Sequence, residues 1–117
     1  VEYLADCRAR LAFDLLANTW NPVVLWALRD GPRRHADLRR HIGGIRQKVL
    51  TETLRRLEEH GLVARRSRPG RVDYALTGLG ASLLGPIGAL GEWGHDHGDA
   101  VMAALDREPS TAGSTDG

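Results

Sequence analysis

Four side chains of this sequence have the chemistry and the spacing to read the edges of nucleic-acid bases. Gln47, Lys48, Thr51 and Arg55 gather on one side of a helically periodic stretch, opposite Val49, Leu50, Thr53, Leu54 and Leu57. A glutamine amide pairs bidentately with adenine, arginine or lysine pairs with guanine, and threonine touches a thymine methyl or a phosphate. Arg39, Arg40 and Arg46 precede this stretch and are placed for phosphate contacts. Arg68 and Arg71 follow it, flanking a Pro-Gly turn, and are placed for an adjacent minor groove.

The distribution of charge points the same way. Twelve of the sixteen basic residues lie between Arg33 and Arg71 with only four acids (Asp37, Glu52, Glu58, Glu59), a local charge of +8 in a chain whose total is +1. The usual partner of a compact basic surface is a phosphate backbone. Isolated basic residues on a helix are commonly just a solvated face, and Arg34, Arg56 and Arg65 are assigned that role. Clustering on three successive elements argues against it for the others.

The elements that must position these residues can be read along the chain. Its 117 residues make one domain of ordinary size with a mainly aliphatic core. Residues 3–17 are helically periodic, with Leu4, Cys7, Leu11 and Leu15 on one face. Asn21-Pro22 starts a short buried helix over Val23–Leu28, with Asn as the cap. Asp30-Gly31-Pro32 ends it. Arg33–His35 is a short extended piece, Ala36–Ile42 a short helix, and Gly43-Gly44 a turn. The base-reading stretch is then a helix over Gln47–His60, closed by Gly61. Leu62–Arg66 and Val72–Leu76 alternate as strands do, around a turn over Ser67–Arg71. Thr77 caps a last helix to about Leu105, with a kink at Pro86.

The expected architecture is mainly α with a small β-ribbon: a winged helix-turn-helix over 1–105, with flanking dimerisation helices at 1–17 and 77–105 and a flexible tail over 106–117. Apolar stripes on both flanking helices (Leu4, Leu11 and Leu15; Leu83, Ile87 and Leu90, with Trp93 beside them) are assigned to a two-fold interface, because a small domain does not easily cover both. Duplex DNA with a palindromic or near-palindromic site is the expected partner. No run of about 18 apolar residues occurs, so no membrane span is expected and a cytoplasmic location is.

Other chemistry is thinly represented. No nucleophile–base pair, phosphate-binding glycine loop or CxxC motif appears, so no enzymatic activity and no cofactor are expected. His95 and His97 lie about 200° apart around a helix, poor geometry for one ion, so no metal is expected. His35, His41 and His60 read as surface or phosphate-facing residues, and Trp20 and Trp26 as core. Cys7 is the one cysteine and excludes an internal disulfide framework. It reads either as a small buried hydrophobe or as a reactive thiol, with Arg8 and Arg10 favouring its thiolate and Glu2 and Asp6 opposing.

One resemblance covers nearly all of the chain except the tail. Cys7, Leu15-Leu16 and Trp20, then the run from Asp30 to Leu38, then Gly44-Ile45, Val49-Leu50-Thr51, Leu54-Arg55, the run from Leu57 to Arg65, and Val72-Asp73-Tyr74-Ala75-Leu76-Thr77-Gly78-Leu79-Gly80 together resemble the HxlR family of bacterial transcriptional regulators. The resemblance implies a homodimeric DNA-binding regulator, often a repressor, on an inverted site. It also implies sensing of quinones, aldehydes, hypochlorite or other electrophiles through a cysteine matched here by Cys7. Three positions depart from the family pattern. Ala17-Asn18-Thr19 replaces Gly-Gly-Lys, Arg46 replaces a serine with a capping hydroxyl, and Thr53 stands where arginine is frequent. Two alternatives stay open: a regulator with a non-covalent ligand near Trp20, Trp26 and Trp93, and a winged-helix module whose basic face meets an acidic protein.

Overall fold

The computed structural model describes residues 7–112, with side chains through Arg107. Eight elements follow one another: α1 (Arg8–Ala17), α2 (Trp20–Ala27), α3 (His35–Ile42), α4 (Gln47–Glu59), β1 (Val63–Arg68), β2 (Arg71–Leu76), α5 (Gly78–Ala81) and α6 (Leu84–Ala112). They fall into two compact units, Val1–Leu84 and Gly85–Gly117.

The first unit is the winged helix-turn-helix. Its core is aliphatic: Val24 and Leu25 from α2 with its C-cap Leu28, Leu38 from α3, and Leu50, Leu54 and Leu57 from α4 are all within 2% of complete burial. The inward positions of α4 recur at the three- and four-residue spacing that puts side chains on one face. Thr53 joins them because its hydroxyl donates to the Val49 carbonyl, 2.8 Å away, so a polar group is buried already satisfied.

α4 ends where its backbone runs out of partners. His60 is its C-cap and Gly61 follows at φ +75°, a conformation that glycine takes without a Cβ clash. Leu62 N–H donates to the Leu57 carbonyl and Gly61 N–H to the Glu58 carbonyl, both at 3.0 Å, the paired bonds of a Schellman ending. The chain then enters β1.

β1 and β2 pair antiparallel from Val63–Leu76 to Arg68–Arg71. Pro69-Gly70 alone makes the turn, so the strands reach further toward the tip than expected and take in Ser67, Arg68 and Arg71. The extended piece at Arg33 bridges Tyr74 through two backbone bonds of 2.8 and 2.9 Å, which ties the wing to the start of α3.

Two starts differ from the sequence reading. α2 begins at Trp20, whose N–H is accepted by the Asn18 side chain at 3.0 Å, and Asn21 lies inside the helix with its side chain buried. The expected last helix is two helices, because Pro86 has no N–H to continue the ladder from the preceding turn. Pro86 sits instead in the first turn of α6, where that N–H would have had no partner. α6 continues to Ala112, beyond the end expected near Leu105.

Thr77 anchors α5. Its Oγ1 accepts from Gly80 N–H at 3.0 Å and donates to the Gly61 carbonyl at 2.6 Å. Thr77→Ala removes both bonds and is expected to cost about 1 kcal/mol, the usual worth of an N-cap, measured by urea unfolding. An unchanged midpoint would show that the cap contributes nothing here.

The second unit is α6 itself. Leu90, Trp93, Val101, Met102 and Leu105 are exposed on it, and the His97 ring stacks on Trp93 with centroids 4.9 Å apart. Of the residues assigned to a subunit interface, Leu11, Leu90 and Trp93 are exposed, Leu15 and Leu83 half-buried, and Ile87 buried. Leu4 lies outside the described residues.

Candidate nucleic-acid interface

α3, the Gly43-Gly44 turn and α4 form the helix-turn-helix, and the β1–β2 ribbon is its wing. Arg39, Arg40, Arg46, Gln47, Lys48, Thr51, Arg55, Arg68 and Arg71 are all exposed on these elements. They differ in how far the protein already uses them. Among the described residues Arg46, Lys48, Arg55 and Arg68 make no ion pair, so their charges face solvent uncompensated. Arg40 is paired with Asp37, one turn back on α3. Arg71 donates through Nε to Asp73 Oδ2 at 3.2 Å, holding a carboxylate that is 3% exposed. Of Arg68 and Arg71, Arg68 is therefore the freer.

The start of α4 suits an anion. Arg46 is its N-cap and makes no side-chain cap bond, so the first N–H groups of the helix have no capping oxygen. Aligned N–H groups and the helix dipole favour a phosphate there, with the exposed Arg46 beside it. Replacement of the family's serine by arginine thus exchanges a capping hydroxyl for a cation at the same place.

Thr51 is prepared by a histidine that the sequence reading put at the surface. The Thr51 hydroxyl donates to the Gln47 carbonyl at 2.9 Å and lies 3.0 Å from His35 Nε2. With the hydroxyl proton committed to Gln47, His35 Nε2–H is the donor. Burial, and then the positive charge of Arg39, hold the His35 pKa below the ordinary histidine range, against a weaker opposing bond to the Gln47 backbone. A neutral His35 thus links the first turn of α3 to the first turns of α4. It occupies the Thr51 oxygen and leaves the methyl as the group that a base can meet.

A second bridge holds α4 from behind. Asn21, 3% exposed, donates through Nδ2 to the Leu15 carbonyl of α1 at 2.7 Å. Its Oδ1 accepts from Arg56 Nε at 3.3 Å and Nη2 at 3.0 Å. The sequence reading made Asn21 a helix cap and Arg56 a solubilising residue. Together they clamp α1, α2 and α4. Asn21 precedes a proline, and that local pattern hid its longer-range role. Trp26, expected in the core, is 37% exposed beneath the Arg29 guanidinium, which stands 4.7 Å from the ring centroid.

No group of three or more metal-ligating side chains occurs among the described residues. No described helix is long and apolar enough to cross a membrane. The helix-turn-helix, the basic wing and the outward Lys48, Thr51 and Arg55 define a winged-helix DNA-binding protein. A family model for HxlR-like helix-turn-helix proteins matches residues 15–102, and the chain belongs to that family of transcriptional regulators.

Similar proteins agree with this assignment. An uncharacterised HTH-type transcriptional regulator of Methanothermobacter thermautotrophicus is 40% identical over 111 residues, covering 92% of this chain and 83% of that one. The transcriptional regulator YtfH from Salmonella typhimurium superimposes with a TM-score of 0.73 at 34% identity, over 88% of this chain and 95% of that one. Reduced YodB from Bacillus subtilis gives a TM-score of 0.69 at 34% identity, over 75% and 90%. Similar structures also include quinone-bound and diamide-treated YodB.

Proposed function

We propose that this chain is a homodimeric, sequence-specific repressor that reads a palindromic or near-palindromic operator in the cytoplasm. α4 lies in the major groove with Gln47, Lys48, Thr51 and Arg55 toward the bases. Arg39, Arg40 and Arg46 hold the phosphates, and the wing carries Arg68 and Arg71 to the neighbouring minor groove. The observation that carries this reading is the set of exposed cations on α4 and the wing that have no ion pair among the described residues. Pairing through α1 and α6 would set two recognition helices about 34–36 Å apart, one turn of DNA.

Cys7 is proposed as the switch. It is the N-cap residue of α1 and half-exposed, so a small electrophile can reach it. The similar YodB was crystallised reduced, quinone-bound and diamide-treated, which supports thiol chemistry in a protein of this kind. Oxidation of a lone thiol leads to a Cys7–Cys7 bridge between subunits or to a mixed disulfide with a small thiol.

Anisotropy or mobility shift on DNA from the protein's own upstream region tests both readings. A specific complex that diamide dissolves, that reductant restores, and that Cys7→Ser makes indifferent to diamide is the expected result. The same diamide response in Cys7→Ser removes Cys7 from the mechanism. Binding to an acidic protein with no site preference on any selected DNA would replace the DNA reader by a protein-contact module.

A further inference from the structure

Thr51 sits at the middle of the reading face. Gln47 lies one turn before it and Arg55 one turn after, at the four-residue spacing that keeps side chains on one side of a helix. All three are exposed. Gln47 and Arg55 are long and polar, whereas Thr51 is short. A short side chain in the middle of a helix laid in the major groove meets only what projects from the base edges. The apolar group that projects there is the thymine 5-methyl.

Threonine in a helix divides between two rotamers, and its methyl points a different way in each. Two partners hold the Thr51 hydroxyl in one place. It donates to the Gln47 carbonyl at 2.9 Å and accepts from His35 Nε2–H at 3.0 Å. The first bond lies within α4, but His35 comes from the first turn of α3. His35 also bonds the Gln47 backbone, so it is fixed against the same turn of α4. Burial, and then Arg39 one turn further along α3, favour the neutral ring, which has a single N–H to give.

We infer that His35 is a positioning residue for base readout: it locks the Thr51 methyl outward, and each operator half-site sets a thymine against that methyl. The inference rests on α4 as the DNA-reading helix and names one base of its site. Without His35, Thr51 divides between its two rotamers and the methyl leaves the reading face for part of the time. His35 touches no base itself. Its effect is on which group of Thr51 the DNA meets.

The test starts by selecting the preferred duplex from a random library with the full chain. Symmetry-related thymine pairs of that site are then replaced by deoxyuridine, which removes only the methyl, and affinity is read by anisotropy. One such pair loses roughly sixteenfold, from about fourfold for each methyl buried. His35→Ala binds the thymine and deoxyuridine duplexes within about twofold of each other, because the methyl is no longer held. His35→Gln, whose amide N–H also reaches Thr51, restores the discrimination. Thr51→Ser abolishes it, and Thr51→Val, with a methyl on both branches, keeps it. The two Thr51 variants are at an exposed position and judge the methyl contact whether or not His35→Ala folds. A His35 that only supports the fold would weaken both duplexes alike and leave their ratio unchanged, which overturns the positioning role. A site indifferent to every deoxyuridine overturns the thymine contact. So does a Thr51→Val that loses affinity while the two duplexes stay equivalent, since the hydroxyl would then be the reader. If selection enriches no sequence, the DNA-reader assignment fails and this inference with it; an enriched but methyl-indifferent site overturns this inference alone.

Discussion

Gly80→Ala lowers the stability of the fold by about 3 kcal/mol, the upper end of overpacking costs. A Cβ on Gly80 would stand 2.0 Å from the Leu62 carbonyl oxygen, a backbone atom that cannot rotate away, and 3.3 Å from Leu76 Cδ2. That carbonyl already accepts from Thr77 N–H at 3.1 Å, so α5 can move off only by breaking its own anchor to the end of α4. Gly78→Ala is the internal control. Its Cβ meets nothing within 4 Å, and alanine is the better helix former, so stability holds or rises by up to about 1 kcal/mol. Urea unfolding of the two variants decides the matter. A Gly80→Ala midpoint equal to that of Gly78→Ala would disprove the close approach.

The second large effect is on DNA. Lys48 and Arg55 lie about two turns apart on the same exposed side of α4, a rise of roughly 10 Å along the helix, enough to span about three base pairs. If each reads a base edge, each alanine substitution costs about 1–3 kcal/mol of specific binding. Separated by that distance with no shared partner, the two losses nearly add, so Lys48→Ala/Arg55→Ala loses about 2–6 kcal/mol. Affinity for unrelated duplex falls much less. Arg68→Ala serves as the contrast: if Arg68 meets only phosphate beside the minor groove, its loss weakens all sequences alike and reduces the salt slope by about 1. Equal losses on operator and bulk DNA in the double variant would assign Lys48 and Arg55 to phosphates instead. Anisotropy at two salt concentrations separates the outcomes.

The sequence was most legible where periodicity is local. The inward set of α4, its ending at Gly61, the ribbon around Pro69-Gly70 and the cap at Thr77 depend on residues within a turn or two of one another. Spacing and backbone preference fix them without knowledge of the rest. Boundaries were less legible where one residue serves two roles. Asn21 before Pro22 has the local pattern of a cap, yet Asn18 accepts from Trp20 N–H and Asn21 turns inward to α1 and α4. Pro86 reads as a kink when the surrounding stripe is taken as one helix, and as a helix start when the missing N–H is given its cheapest position.

By itself, the sequence determined a winged helix-turn-helix with a basic reading helix and wing, because charge clustering and apolar period are properties of neighbouring residues. Only the tertiary structure decided which of the cations are spoken for. Arg56 meets Asn21 thirty-five positions away in the chain, and His35 meets Thr51 sixteen positions away. Such contacts exist only once α2, α3 and α4 have packed, and helical spacing within one element carries no trace of a partner on another. The same holds for Gly80, whose need for glycine comes from the Leu62 carbonyl across the fold rather than from its own helix.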